Sequence, residues 1–126
     1  MSVAKRTTAS TTINYSPRKS RLVLNVIRGL NLEQALEQLK NLQKGKTKKF
    51  FDLLKNAANN LKITEAEYKS FVISEIVAEE DKKLYRFVPR ARGSAFKIRR
   101  RTTRLKVMLK PASEILTKVK AKAKVK

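Results

Sequence analysis

The stretch RFVPRARGSAFKIRRR, residues 86–101, decides how this chain is read. Seven of its sixteen residues are Arg or Lys, none is acidic, and Pro89, Gly93 and Ser94 break it near the middle. The gap in acids is wider than the stretch itself. No Asp or Glu occurs between Asp81 and Glu114. That interval holds Lys82, Lys83, Arg86, Arg90, Arg92, Lys97, Arg99, Arg100, Arg101, Arg104, Lys106 and Lys110. A solvated surface normally mixes signs, because unmixed like charges repel one another. Seven of these twelve cations are Arg, whose planar fork grips phosphate bidentately and stacks on bases. The stretch therefore points to a phosphate-bearing partner.

Its flanks suggest its shape. FVISEIVA (71–78) is rich in β-branched residues and reads as a strand. RLKVMLK (104–110) alternates, with Leu105, Val107 and Leu109 facing one way and Arg104, Lys106 and Lys110 the other. If 71–80 and 103–110 pair antiparallel, residues 81–102 extend the hairpin outward. Arms of about eleven residues at roughly 3.3 Å each give a finger of about 35 Å. Its turn is predicted near Ala91, Arg92 and Gly93. The finger's apolar residues are too scattered to bury a face, and a lone two-stranded ribbon is marginal in water. Its surroundings must hold it, and folded RNA, which proteins recognise by shape, fits better than duplex DNA. Phe87 and Phe96 flank the turn. Either they stack on bases or they pack on each other across the hairpin.

Upstream the period is helical. Ser16-Pro17 predicts an N-cap and first turn, and a helix over 17–28 with Leu22, Val23, Val26 and Ile27 inward and Gly29 as its stop. Asn31 and Gln34 have the spacing of a capping box. They open a second helix with Ala35, Leu36, Leu39 and Leu42 on one stripe, stopped by Gly45. Thr47 is expected to cap a third, with Phe50, Phe51, Leu54, Ala57, Ala58 and Leu61 inward. Arg18, Lys19 and Arg21 form a second basic cluster, readable as a solvated helix face or as phosphate contacts near a helix N-terminus. TKVKAKAKVK (117–126) is of low complexity and cannot bury a core. The expected organisation is one domain over 1–110, with the hairpin at about 80–103, and a disordered Lys-rich tail over 111–126.

Composition narrows the function classes. The chain has 126 residues and a formal net charge of +21, from 31 Lys+Arg against 10 Asp+Glu. A field of that size calls for a polyanionic partner: nucleic acid first, an anionic membrane surface second. There is no Cys and no His, which removes thiolate metal sites and the commonest general acid–base group. With three glycines there is no Gly-rich phosphate loop. No enzyme, cofactor or metal site is expected. The acidic group Glu79, Glu80 and Asp81 could hold a divalent ion, but reads better as the base of the hairpin balancing Lys82 and Lys83. MSVAKRTTASTTIN (1–14) loosely resembles a transit peptide, yet has no apolar stripe, and TTASTTI reads as a strand. No apolar run approaches the roughly 18–20 residues of a membrane span. A DNA architectural protein and a cationic membrane-surface protein are the rivals. The first would need a dimer-forming apolar surface and the second a basic amphipathic helix, and neither is visible.

Two blocks together carry a resemblance. SPRKSRLVLNVIRG (16–29) and VPRARGSAFKIRRRTTRLKVML (88–109), with NAANN (56–60) between them, resemble the large-subunit ribosomal protein family numbered twenty-two. The resemblance covers about 12–110. It implies an α+β fold, with three helices packed on a small antiparallel sheet, a long protruding hairpin and here a basic C-terminal tail. It also implies a structural constituent of the large subunit that binds large-subunit ribosomal RNA and joins early in assembly. It places the protein in the ribosome, and the lack of a clear presequence favours a cytoplasmic ribosome over an organellar one. The implied partners are that RNA, neighbouring ribosomal proteins and the nascent polypeptide, with no membrane and no homo-oligomer. The residues so implied in RNA binding are Arg18, Lys19, Arg21, Arg86, Arg90, Arg92, Lys97, Arg99, Arg100, Arg101, Thr102 and Arg104. The tip lining the exit tunnel would be Arg90, Ala91, Arg92, Gly93, Ser94 and Ala95. Ser94 stands where many bacterial members have Arg, and Phe96 where Asp is frequent, so the charge on the tunnel wall is reduced. EEDKK (79–83) lacks the family's frequent Gly-Pro.

Overall fold

The computed structural model describes residues 7–115. Strand β1 (Thr7–Ile13) leads into helices α1 (Pro17–Ile27), α2 (Leu32–Asn41) and α3 (Thr47–Leu61). A 3-10 segment over Glu65–Ser70 precedes β2 (Phe71–Glu80), the hairpin β3 (Leu84–Pro89) and β4 (Ala95–Arg100), and finally β5 (Thr103–Pro111). β5 is the centre of an antiparallel sheet ordered β1-β5-β2. It is central because both of its edges find a partner while its alternate residues Leu105, Val107 and Leu109 are almost wholly buried. The β2 register shifts between Ile73 and Glu75, and the bulged Ser74 donates its hydroxyl to the Met108 carbonyl at 3.0 Å.

The helices cover the apolar face of this sheet. Phe50, Leu53, Leu54, Ala57 and Ala58 of α3 meet Leu24 and Ile27 of α1, Leu32 and Leu36 of α2, and Ile73 and Ile76 of β2 in one core. The inward residues expected of α2 and α3 are there, with Leu42, Phe51 and Leu61 partly buried at the margin and Leu53 added. α1 differs from expectation. Its inner face is Pro17, Ser20, Val23, Leu24 and Ile27, while Leu22 and Val26 are 62% and 41% exposed. Ser20 can sit in the buried stripe because its hydroxyl is satisfied locally, donating to the Ser16 carbonyl at 3.1 Å.

The helix ends correct several local expectations. Ser16 does cap α1, and Gly29 follows it with a φ of 78°. Asn31 occupies the N-cap of α2 without a side-chain cap bond, and its backbone bridges to Val72. The capping box of this chain is Thr64 with Glu67. α2 ends at Asn41, before Gly45, and the N-cap of α3 is Lys46 in the left-handed region rather than Thr47. The Thr47 hydroxyl points back to the Leu42 and Lys44 carbonyls and closes the loop.

β2 would otherwise present a bare edge. Arg21 of α1 and Arg28, the helix's C-cap two turns on, donate to the Ala78 and Ile76 carbonyls, each at 3.2 Å. Ile73 N–H donates to the Leu30 carbonyl at 3.1 Å. Guanidinium groups and a loop thus occupy strand groups that could pair with another chain. At the C-terminal end, Pro111 still pairs with Phe71 and residues 112–115 are helical, so the start of the expected tail is ordered. The rest of it, 116–126, lies outside the described residues.

Candidate nucleic-acid interface

β3 and β4 form a two-stranded ladder of their own, from Leu84↔Arg100 to Pro89↔Ala95. The turn is where it was expected. Ala91–Gly93 makes one 3-10 turn, with Arg92 and Gly93 at φ of 59° and 72°. Arg90 N–H donates to the Ser94 carbonyl at 2.8 Å, and the Ser94 hydroxyl donates to the Ala91 carbonyl at 2.9 Å. Ser94 thus stabilises the turn it belongs to. Every residue of the hairpin is exposed except Val88 and Ile98, which are half-buried. No face of this ribbon is covered.

The register settles the two phenylalanines. Phe87 lies opposite Lys97, and Phe96 opposite Val88, so the two rings point to opposite faces and cannot pack on each other. They are 70% and 60% exposed. The Arg90 guanidinium lies 5.6 Å from the Phe96 ring centre, and Lys97 Nζ lies 4.2 Å from that of Tyr85. Both faces of the ribbon therefore carry a cation beside an aromatic ring.

Three of the cations in the acid-free interval are balanced by the acidic group at the end of β2. Lys106 pairs with Glu79 at 2.7 Å, Lys83 with Glu80 at 3.2 Å and Arg104 with Asp81 at 3.2 Å. The group is the hairpin's base, as expected, but Glu79 and Asp81 choose β5 partners rather than Lys82. Among the described residues no cluster of metal-ligating side chains occurs. The remaining cations, Lys82, Arg86, Arg90, Arg92, Lys97, Arg99, Arg100, Arg101 and Lys110, form no ion pair among the described residues.

The root of the hairpin is clamped. Asp81 N–H donates to the Thr102 carbonyl at 3.1 Å, and the Thr102 hydroxyl donates to the Lys82 carbonyl. The Asp81 carboxylate accepts from the Thr12 hydroxyl at 2.8 Å. That hydrogen bond, the Lys82 backbone N–H and the Arg104 charge hold the Asp81 carboxyl below the usual carboxylate range. Thr103, fully buried, donates to the Tyr15 carbonyl at 2.5 Å.

The sequence-predicted residues thus divide. Arg86, Arg90, Arg92, Lys97, Arg99 and Arg100 are exposed on the ribbon, with Arg101 just beyond it. Arg18 and Lys19 are exposed at the start of α1, while Arg21 holds the β2 edge and Arg104 the clamp. Thr102 is 7% exposed and its hydroxyl donates to the Lys82 carbonyl at the hairpin's root. One cluster escaped the sequence reading. Lys46, Lys48 and Lys49 gather beside Thr12 and Asn14 at the end of β1, and KGKTKK (44–49) was the available signal.

Comparison with known proteins shows the family. The family described as ribosomal protein L22p/L17e matches residues 8–110. The large ribosomal subunit protein uL22 of Phytoplasma mali (strain AT) is 35% identical over 113 residues, covering 89% of this chain and 86% of that protein. With its helices on an antiparallel sheet and its basic hairpin, the chain belongs to the L22p/L17e ribosomal protein family and has a structural role in the large ribosomal subunit.

Proposed function

We propose that the chain binds large-subunit ribosomal RNA through the β3–β4 finger and the start of α1, and that the turn Arg90–Ala95 lines the nascent-polypeptide tunnel. The observation that carries this reading is the uncovered ribbon. It exposes both faces, both phenylalanines and a run of cations without ion-pair partners among the described residues. A ribbon of this kind gains its stability from what surrounds it, and phosphate with unstacked bases supplies both the charge and the π-surfaces it lacks. Arg18, Lys19, Arg86, Arg90, Arg92, Lys97, Arg99, Arg100 and Arg101 make the direct contacts in this reading. Arg21, Thr102 and Arg104 position the elements that carry them. Residues 1–110 act as one domain, and the Lys-rich 111–126 adds phosphate contacts. Neighbouring ribosomal proteins and the nascent chain complete the partners. The protein enters assembly early, because RNA that folds around the exposed ribbon supplies the surroundings a two-stranded hairpin needs. Its work is structural rather than enzymatic, in the cytoplasmic ribosome. Among the described residues no helix is long and apolar enough to cross a membrane.

The test is to tag the protein in its own cell and run lysate on a sucrose gradient, with and without a high-salt wash. Retention in the large subunit through the wash is expected. Removal by salt would leave a peripheral RNA binder, and migration with nucleoid DNA or membranes would overturn the reading.

A further inference from the structure

We infer that the open cavity between the end of β1 and the start of α3 is a second phosphate site, which carries the RNA backbone from the finger's root onto the body of the protein. This rests on the RNA-binding reading above. The cavity measures about 430 Å³ and is lined by Thr12, Ile13, Asn14, Lys46, Lys48 and Lys49. Three lysines and no acidic residue are among the residues that line it. None of the three lysines forms an ion pair among the described residues. Three like charges around one concavity repel unless an anion enters it.

The site is partly preorganised. Lys46 sits in the left-handed region, and its ammonium donates to the Asn14 carbonyl. The same ammonium lies 5.8 Å from the Tyr15 ring centre, with Lys19 Nζ at 6.0 Å from that ring. Tyr15 thus lies between Lys46, at the N-cap of α3, and Lys19 at the start of α1. Lys48 and Lys49 are exposed and can close on an oxygen anion. Thr12 makes the connection to the finger. It lines the cavity, and its hydroxyl also binds Asp81 at the hairpin's root. A strand leaving the finger at its root meets these lysines next. The ligand class is a phosphodiester of RNA, recognised by charge without base readout.

The experiment measures binding of the full chain to large-subunit ribosomal RNA over a range of salt concentrations. K48A/K49A removes two phosphate-binding cations and should lower the slope of log affinity against log salt by about 1.5. K48R/K49R should retain the slope. K40A/K55A removes the same charge from a face bordered by Glu33, Glu37 and Glu65, and should leave the slope at the wild-type value. Acylation of Lys48 and Lys49 by an amine-reactive reagent should be suppressed by bound RNA. A wild-type slope in K48A/K49A, an equal drop in K40A/K55A, or unprotected Lys48 and Lys49 would each overturn the inference. If R99A/R100A/R101A still lowers the slope in that case, the finger reading stands and the cavity alone is discarded. No binding by the wild-type chain would remove both. Preference for anionic phospholipid vesicles over RNA would also overturn it.

Discussion

Thr12 and Asp81, 69 positions apart, share a 2.8 Å hydrogen bond that ties the end of β1 to the end of β2. Arg104 of β5 completes the contact from the other side. All three strands of the sheet are therefore fastened at the point where the finger begins.

The clamp predicts an acid-sensitive root. The Asp81 carboxyl is depressed in the folded chain, chiefly by the Thr12 hydroxyl and the Lys82 N–H. A depressed carboxyl contributes its stability fully above its ordinary value of 3.8 and loses it as pH falls through the lower folded value. D81N should therefore have a lower Tm than wild type at neutral pH, and the two should converge in acid below about pH 4. Tm against pH by circular dichroism checks this. Parallel curves would show that the carboxylate does not fasten the root.

Arg21 and Arg28 are predicted to act on folding and solubility. Each bonds a β2 carbonyl, so R21A and R28A should each cost about 1 kcal/mol, the worth of a typical net hydrogen bond. The double variant should also self-associate, because the strand edge is uncovered. Denaturant melts and light scattering measure the two effects. A stable, monomeric R21A/R28A would return Arg21 to the RNA-contact group.

The two phenylalanines of the finger should act independently. They face opposite sides, so F87A and F96A should each weaken RNA binding by about 1–3 kcal/mol if each stacks on a base, and their effects should add. The salt slope should not move, since no charge is removed. Strongly non-additive effects would mean that the rings share one partner.

The core should tolerate truncation poorly. Phe50 is 1% exposed at the centre of the helix–sheet packing, and F50A should cost about 3–5 kcal/mol. L22A, on the outer face of α1, should change stability by less than about 0.5 kcal/mol. Urea melts of both variants test the orientation of that helix. A large destabilisation in L22A would mean that α1 is turned the other way.

The resemblance to the family and the finger were both legible in the chain. The alternation at 104–110, the β-branched run at 71–78, the break at Ala91-Arg92-Gly93 and the three helical periods are local patterns. Backbone geometry converts local patterns into elements without reference to the rest of the molecule. The absence of acids between Asp81 and Glu114 is likewise a property of the chain alone, and so is the lack of His and Cys.

Contacts between elements were decided elsewhere. Leu22 and Val26 matched the helical period, yet Val23, Leu24 and Ile27 are the ones that enter the shared core, and Arg21 and Arg28 reach across to β2. Pairing register, not composition, put Phe87 and Phe96 on opposite faces. Asp81 found Thr12 and Arg104 because three strands end together, and the lysine cavity exists because α3 starts beside the end of β1. Periodicity fixes which way a side chain leaves its own element. What it meets there depends on which distant element the hydrophobic core brings to that side.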